Sequence, residues 1–227
     1  MIKDIVVLGS AATSRSIMDA LESINQIQRT WNILGFLDDD PALHGTEVYG
    51  YGVLGASELV STSGFREVSV VIGVANERQL LIRKKISERL GLPAERYASI
   101  VHPSASVSPK ARLGPGCVIL FGTRCSGDSV LGSHVVVLEG SCIGHDCMIG
   151  NYATICAHAT IGAYAQVGEG AFVSTASHVR AGISVGAESK VGMGSVALRN
   201  VPAGKTVFGT PAAVLDLGAP AVGKKAV

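Results

Sequence analysis

Gly144-His145-Asp146-Cys147 sets an imidazole beside a carboxylate, the pairing in this chain best suited to moving protons near neutral pH. An imidazole titrates close to neutrality and can take a proton from an attacking nucleophile. A neighbouring carboxylate stabilises the imidazolium that forms. Successive residues of a strand point to opposite faces, so Asp146 can assist His145 only where the chain bends. On spacing alone, a solvated corner histidine is the simpler reading. His134, His158 and His178 fall at other points of the pattern and read as structural or surface residues.

A second set of residues is suited to binding. Gly9-Ser10-Ala11-Ala12-Thr13 follows an apolar strand and opens a helix, a place where free backbone N–H groups can face a phosphate. Asp38 and Asp39 close the next strand, where acids can hold a ribose or a base, and Gly73 closes a third. The fingerprint G-x-G-x-x-G is absent, which argues against NAD. Asp38-Asp39-Asp40-Pro41 also reads simply as the end of a strand, with the proline closing it.

Two kinds of element must position these groups. Up to about residue 98, strands alternate with helices: Ile5–Leu8, a helix with Ile17, Leu21 and Ile24 on one face, Asn32–Leu37, and Val68–Ile72. A helix is predicted over Glu77–Leu90, with Asn76 as its N-cap, Ile82, Ile86 and Leu90 inward, and Gly91 as its stop. Such alternation indicates a small parallel α/β domain. From Val101 to Ala197 every sixth residue is apolar and the phase never slips, with a small residue two places before most of them. Neither a helix nor an alternating strand has that period. It marks a solenoid of short parallel strands, three sides of about six residues to a turn. The first coils are expected to be incomplete, and the segment 216–227 reads as a mobile tail.

Composition narrows the classes. The formal charge is +1 without a basic block, which leaves no footprint for nucleic acid. The start lacks the pattern of a secretion signal, and no apolar run is long enough to span a membrane. The five cysteines occupy or flank the packing slots of the repeat and include no C-x-x-C, as expected of packing residues in a reducing cytoplasm.

The repeat and its Gly209-Thr210-Pro211-Ala212 ending resemble the hexapeptide-repeat acyltransferases. Gly9-Ser10, Gly35-Phe36-Leu37-Asp38-Asp39, Val71-Ile72-Gly73, Val101-His102-Pro103-Ser104-Ala105 and Gly144-His145-Asp146-Cys147-Met148-Ile149-Gly150 recur in that order. In this the chain is similar to the bacterial sialic acid O-acetyltransferases and nucleotide-sugar N-acetyltransferases that modify 4-amino sugars. The resemblance implies a Rossmann-like α/β domain over 1–98 that binds a nucleotide sugar, followed over 99–215 by a left-handed parallel β-helix, assembled as a trimer. It implies an acetyl-CoA-dependent transfer with His145 as general base and Asp146 as its helper. Thr154, Ala163, Thr175 and Met193 then line the acetyl-CoA channel, and Ala11, Ala12, Thr13, Asp38, Asp39 and Gly73 hold the nucleotide sugar. Some relatives carry a histidine where Thr154 stands, and relatives commonly have a small-Gly-His or Gly-Gly-His segment where Ala11-Ala12-Thr13 stands, so the chain departs from the pattern there. No metal is implied: the γ-carbonic anhydrases, which share the coil, pair two histidines five residues apart, and this chain has no such pair. O-acetylation of sialic acid or another sugar, and a binding scaffold without chemistry, stay open at this point.

Overall fold

The structure is a computed structural model that describes residues 2–215. The expected tail at 216–227 lies outside the described residues. The chain opens with β1 (Lys3–Leu8), α1 (Ala12–Ile27) and β2 (Trp31–Leu37). A small antiparallel hairpin, β3 (Glu47–Val48) and β4 (Tyr51–Gly52), precedes β5 (Ser69–Ile72) and α2 (Ile82–Leu90). β1 is the middle strand of a parallel sheet in the order β2-β1-β5. Ile17, Met18 and Leu21 of α1 are fully buried against it. Gly73 lets α1 approach the sheet closely, because a Cβ there would stand 2.2 Å from Ser14 Oγ.

The helix predicted over Glu77–Leu90 is shorter than expected and starts at Ile82. Asn76 does not cap it. Its side chain instead accepts from the Arg78 N–H (2.8 Å) and turns the chain locally, a use of Asn that competes with helix initiation. Gly91 ends the helix in the left-handed region at φ 57°, as its position suggests.

From Ile100 onward the chain winds a triangular β-helix. Its two-residue strands stack into three parallel sheets: one of six strands, one of five, and one of eight that includes the closing hairpin. Leu113 pairs with Leu131 and Leu131 with Ile149, so equivalent residues superpose eighteen places apart. The coil is already complete at its start, since Ile100–Val101 pairs with Val118–Ile119. The aliphatic columns and the small residues two places before them form one core. Gly144, Gly162 and Gly168 lie against the next rung so closely that a Cβ would meet its backbone. Thr206–Gly209 and Ala212–Val214 form an antiparallel hairpin at the end.

The N-terminal unit sits on the eight-stranded face. One apolar cluster joins Ile5, Ile17 and Phe36 to Ile100, Val118 and Val136, and so runs across the expected boundary at residue 98. Arg83 of α2 is 1% exposed and reaches into the coil. It donates five hydrogen bonds: to the carbonyls of Val74, His134, Tyr152 and Ala153, and to the Thr154 hydroxyl. No helix among the described residues is long and apolar enough to cross a membrane.

His134 lies beneath this junction, stacked on Tyr152 (5.3 Å) and edge-on to Tyr97 (4.6 Å). It is 4% exposed and its Nδ1 has no hydrogen-bond partner. Burial, reinforced by the Arg83 charge, pushes its pKa down from 6.5 to about 4. Below the unfolded value the denatured chain takes up a proton that the folded chain refuses. Stability supplied by this residue is therefore complete above pH 6.5 and is lost as pH falls from there towards 4. Melting temperature measured from pH 7 to 4 should drop more steeply for the native chain than for His134→Phe. Equal slopes would refute the assignment.

Candidate active site

The strand Cys142–Ile143 ends with Ile143 inward, and the chain turns through Gly144, His145 and Asp146 before Met148–Ile149 begins the next side. Asp146 takes φ 57°, a left-handed conformation that Asp tolerates better than most residues. This corner resolves the geometric objection to neighbouring residues acting together. Asp146 Oδ2 lies 2.7 Å from His145 Nδ1, and the two side chains are 44% and 54% exposed. An imidazole that donates Nδ1–H to the carboxylate keeps Nε2 free as an acceptor. Tyr164, one turn on, meets the His145 ring edge-on at 4.9 Å, and its N–H donates to the His145 carbonyl (3.0 Å).

Ala163 occupies the rung above His145 at the same corner, where its backbone would be struck by any side chain at Gly144. Thr175 and Met193 also stack on each other, with Gly194 N–H donating to the Thr175 carbonyl (3.0 Å). They stand at another corner, Thr175 between Phe172–Val173 and His178–Val179, and Met193 one rung on, between Lys190–Val191 and Val196–Ala197. Thr154 stands apart from both groups. It is 3% exposed under the N-terminal unit, and its hydroxyl accepts from Arg83 (2.9 Å). One chain thus joins His145, Asp146 and Ala163 at one corner and Thr175 with Met193 at a second.

A cavity of about 310 Å³ opens at the carboxyl ends of β1 and β2, lined among others by Gly9, Ser10, Ala11, Asp38 and Asp39. α1 begins beside it with no side-chain cap, which leaves N–H groups at Ala12 and Thr13 free of protein partners from a cap. Asp38 accepts from the Ser10 N–H (2.8 Å) and hydroxyl (2.7 Å), so it also braces the turn. Asp39 accepts from Ser57 and from Arg89 (2.6 Å). Burial raises its pKa, but the Ser57 hydrogen bonds and the Arg89 guanidinium outweigh that and hold it below the usual carboxylate value. Gly73 lies off the cavity, buried beneath Ser14.

Cys117, Cys125 and Cys156 are buried and offer no nucleophile. Burial pushes Cys117 up to about 11 and Cys125 and Cys156 to about 12, far from thiolates at neutral pH. Among the described residues no three His, Cys, Asp or Glu side chains gather as a metal site. Arg83 was not legible in the sequence, because Arg83-Lys84-Lys85 reads as a solvated run.

Comparison with known families accords with this geometry. The PglD N-terminal domain matches residues 4–90, and the bacterial transferase hexapeptide (six repeats) matches residues 128–163, the stretch that carries His145. Over these segments the chain is similar to the hexapeptide-repeat acyltransferases. The chain is 41% identical over 54 residues to the UDP-N-acetylbacillosamine N-acetyltransferase of Bacillus subtilis (strain 168), a match that spans 24% of each chain. Its fold is similar to that of PerB from Caulobacter crescentus in complex with CoA and GDP-perosamine. The TM-score is 0.82 at 25% identity, over 95% of this chain and 98% of that one. It is equally similar to the acetyltransferase domain of PglB from Neisseria gonorrhoeae FA1090 in complex with acetyl coenzyme A. There the TM-score is 0.82 at 26% identity, over 95% and 100%.

Proposed function

We propose that this acyltransferase moves the acetyl group of acetyl-CoA onto the 4-amino group of a nucleotide-linked deoxyamino sugar, with His145 as general base and Asp146 as its partner. The observation that carries the reading is the 2.7 Å His145–Asp146 pair at an open corner. The solved relatives support the choice of substrates, since PerB holds CoA with GDP-perosamine and PglB holds acetyl coenzyme A. His145 Nε2 takes the proton as the amine attacks the thioester carbonyl. Asp146 stabilises the imidazolium, and backbone N–H groups of the coil stabilise the oxyanion. Collapse of the intermediate breaks the C–S bond, and the imidazolium returns its proton to the departing thiolate. Ala163, Thr175 and Met193 hold the coenzyme, chiefly through their backbone. Ala11, Ala12, Thr13, Asp38 and Asp39 hold the nucleotide.

Because His145 and Met193 stand at different corners of one coil, the complete site needs corners from adjacent copies. Exposed Phe121, Tyr164 and Met193 on those corners give the copies apolar surface to share. The assembly expected is a homotrimer, and light scattering that returns a monomer would refute it. The five cysteines, all free thiols, suit a cytoplasmic site of action. The deciding experiment is thiol release from acetyl-CoA with a panel of UDP-, GDP- and dTDP-linked 4-amino sugars, beside their 4-hydroxy counterparts and sialic acid. Release with an amino sugar alone is expected. Release only with a hydroxyl acceptor would overturn N-acetylation.

A further inference from the structure

Tyr164 stands where neither the backbone nor burial calls for a tyrosine. It belongs to a column at the corner of His145: Asp128, Asp146, Tyr164 and Gly182 follow one another turn by turn, with φ of 59°, 57°, 61° and 72°. This left-handed region suits glycine and is tolerated by Asp, and bulky residues seldom enter it. Tyr152 takes the same conformation at another corner, but there the ring stacks on buried His134 and its hydroxyl meets that of Ser87 (3.1 Å). Tyr164 is 60% exposed, so its ring gains little from the core. Among the described residues its aromatic partner is His145. The ring centroids lie 4.9 Å apart with the planes at 86°, the edge-to-face arrangement that aromatic pairs favour. The coil sets this contact in register, because the Tyr164 N–H donates to the His145 carbonyl (3.0 Å).

The bond to Asp146 does not by itself fix the imidazole. It holds one ring atom, Nδ1, and both of its side chains are half-exposed. A second contact is needed to hold the plane of the ring, and with it the direction of Nε2. A general base works only within hydrogen-bond reach of the proton it takes. We propose that Tyr164 is a positioning residue, its ring holding the His145 imidazole in the plane from which Nε2 meets the acceptor amine. The inference rests on the function proposed above, with His145 as the base.

The test is a double-mutant cycle on thiol release from acetyl-CoA, with the UDP-, GDP- or dTDP-linked 4-amino sugar that supports turnover. Tyr164→Gly fits the backbone, since Gly182 fills the same slot one rung on. It should melt and scatter light as the native chain does. Its kcat should fall by about three- to tenfold, the worth of one aromatic pair, with the KM for acetyl-CoA unchanged. Tyr164→Phe keeps the ring and should keep native kcat. In a His145→Ala background, Tyr164→Gly should cost nothing further, because no imidazole is left to hold. Native kcat in Tyr164→Gly, or a fall of the same size without His145, overturns the inference and leaves the proposed function standing. So does a Phe variant as slow as the Gly variant, which would move the role from the ring to the hydroxyl. The proposed function fails by different signs, namely no release with any of these acceptors or native release from His145→Ala, and the inference then falls with it.

Discussion

His145→Ala should lower acetyl transfer by about 10²-fold or more, the usual loss when a general base is removed. The change should appear in kcat, with the KM for acetyl-CoA little altered, because in the proposed role the imidazole acts on the proton that moves in the transition state. Stability should be untouched. The ring is half-exposed at a corner and supports none of the aliphatic columns, which are what hold each coil to its neighbours. Asp146→Asn keeps the shape of the corner but removes the charge, and should cost a smaller factor than the loss of His145. A His145→Ala protein with native turnover and native melting temperature would show that the proton leaves by another route.

The largest loss of stability should follow Arg83→Met. Burial lowers the Arg83 pKa to about 10, so the side chain is still charged at neutral pH. Among the described residues it has no carboxylate partner; its charge is spread over carbonyls and the Thr154 hydroxyl. Methionine fills similar space yet leaves these acceptors unpaired, and each buried unsatisfied group costs about 1–3 kcal/mol. A net loss of about 3 kcal/mol corresponds to a fall in melting temperature of roughly 6–12 °C for a chain of this size. Arg83→Lys should recover little, since one ammonium cannot reach acceptors spread around a planar fork. Thermal melts of the three proteins decide the matter, and a Met variant that melts with the native chain would deny Arg83 its role.

The solenoid was legible because its constraint recurs at every turn. An apolar residue at each sixth place can be read even where one slot holds Cys125 or Ala197. The His145–Asp146 contact could be anticipated only as a condition, that the two stand at a corner, and Asp146 meets it by adopting a positive φ. What escaped the sequence reading depends on partners far away along the chain. Arg83 looks solvated until the carbonyls of Tyr152 and Ala153 are brought to it. Asn76 looks like a helix cap, because its local bond to Arg78 uses the same chemistry as a cap. Asp38 and Asp39 suit a ligand or a brace equally well in sequence, and the folded chain uses both as braces beside the cavity.

The glycines that lie flush against the following rung also limit how this protein can change in length. One residue added within a side would move every later glycine out of line and press a Cβ into the backbone above Gly144 or Gly162. Insertions are therefore tolerated at a corner, where extra chain can bulge into solvent, or as a whole circuit. The solenoid grows in increments, each close to the 4.8 Å spacing of neighbouring strands.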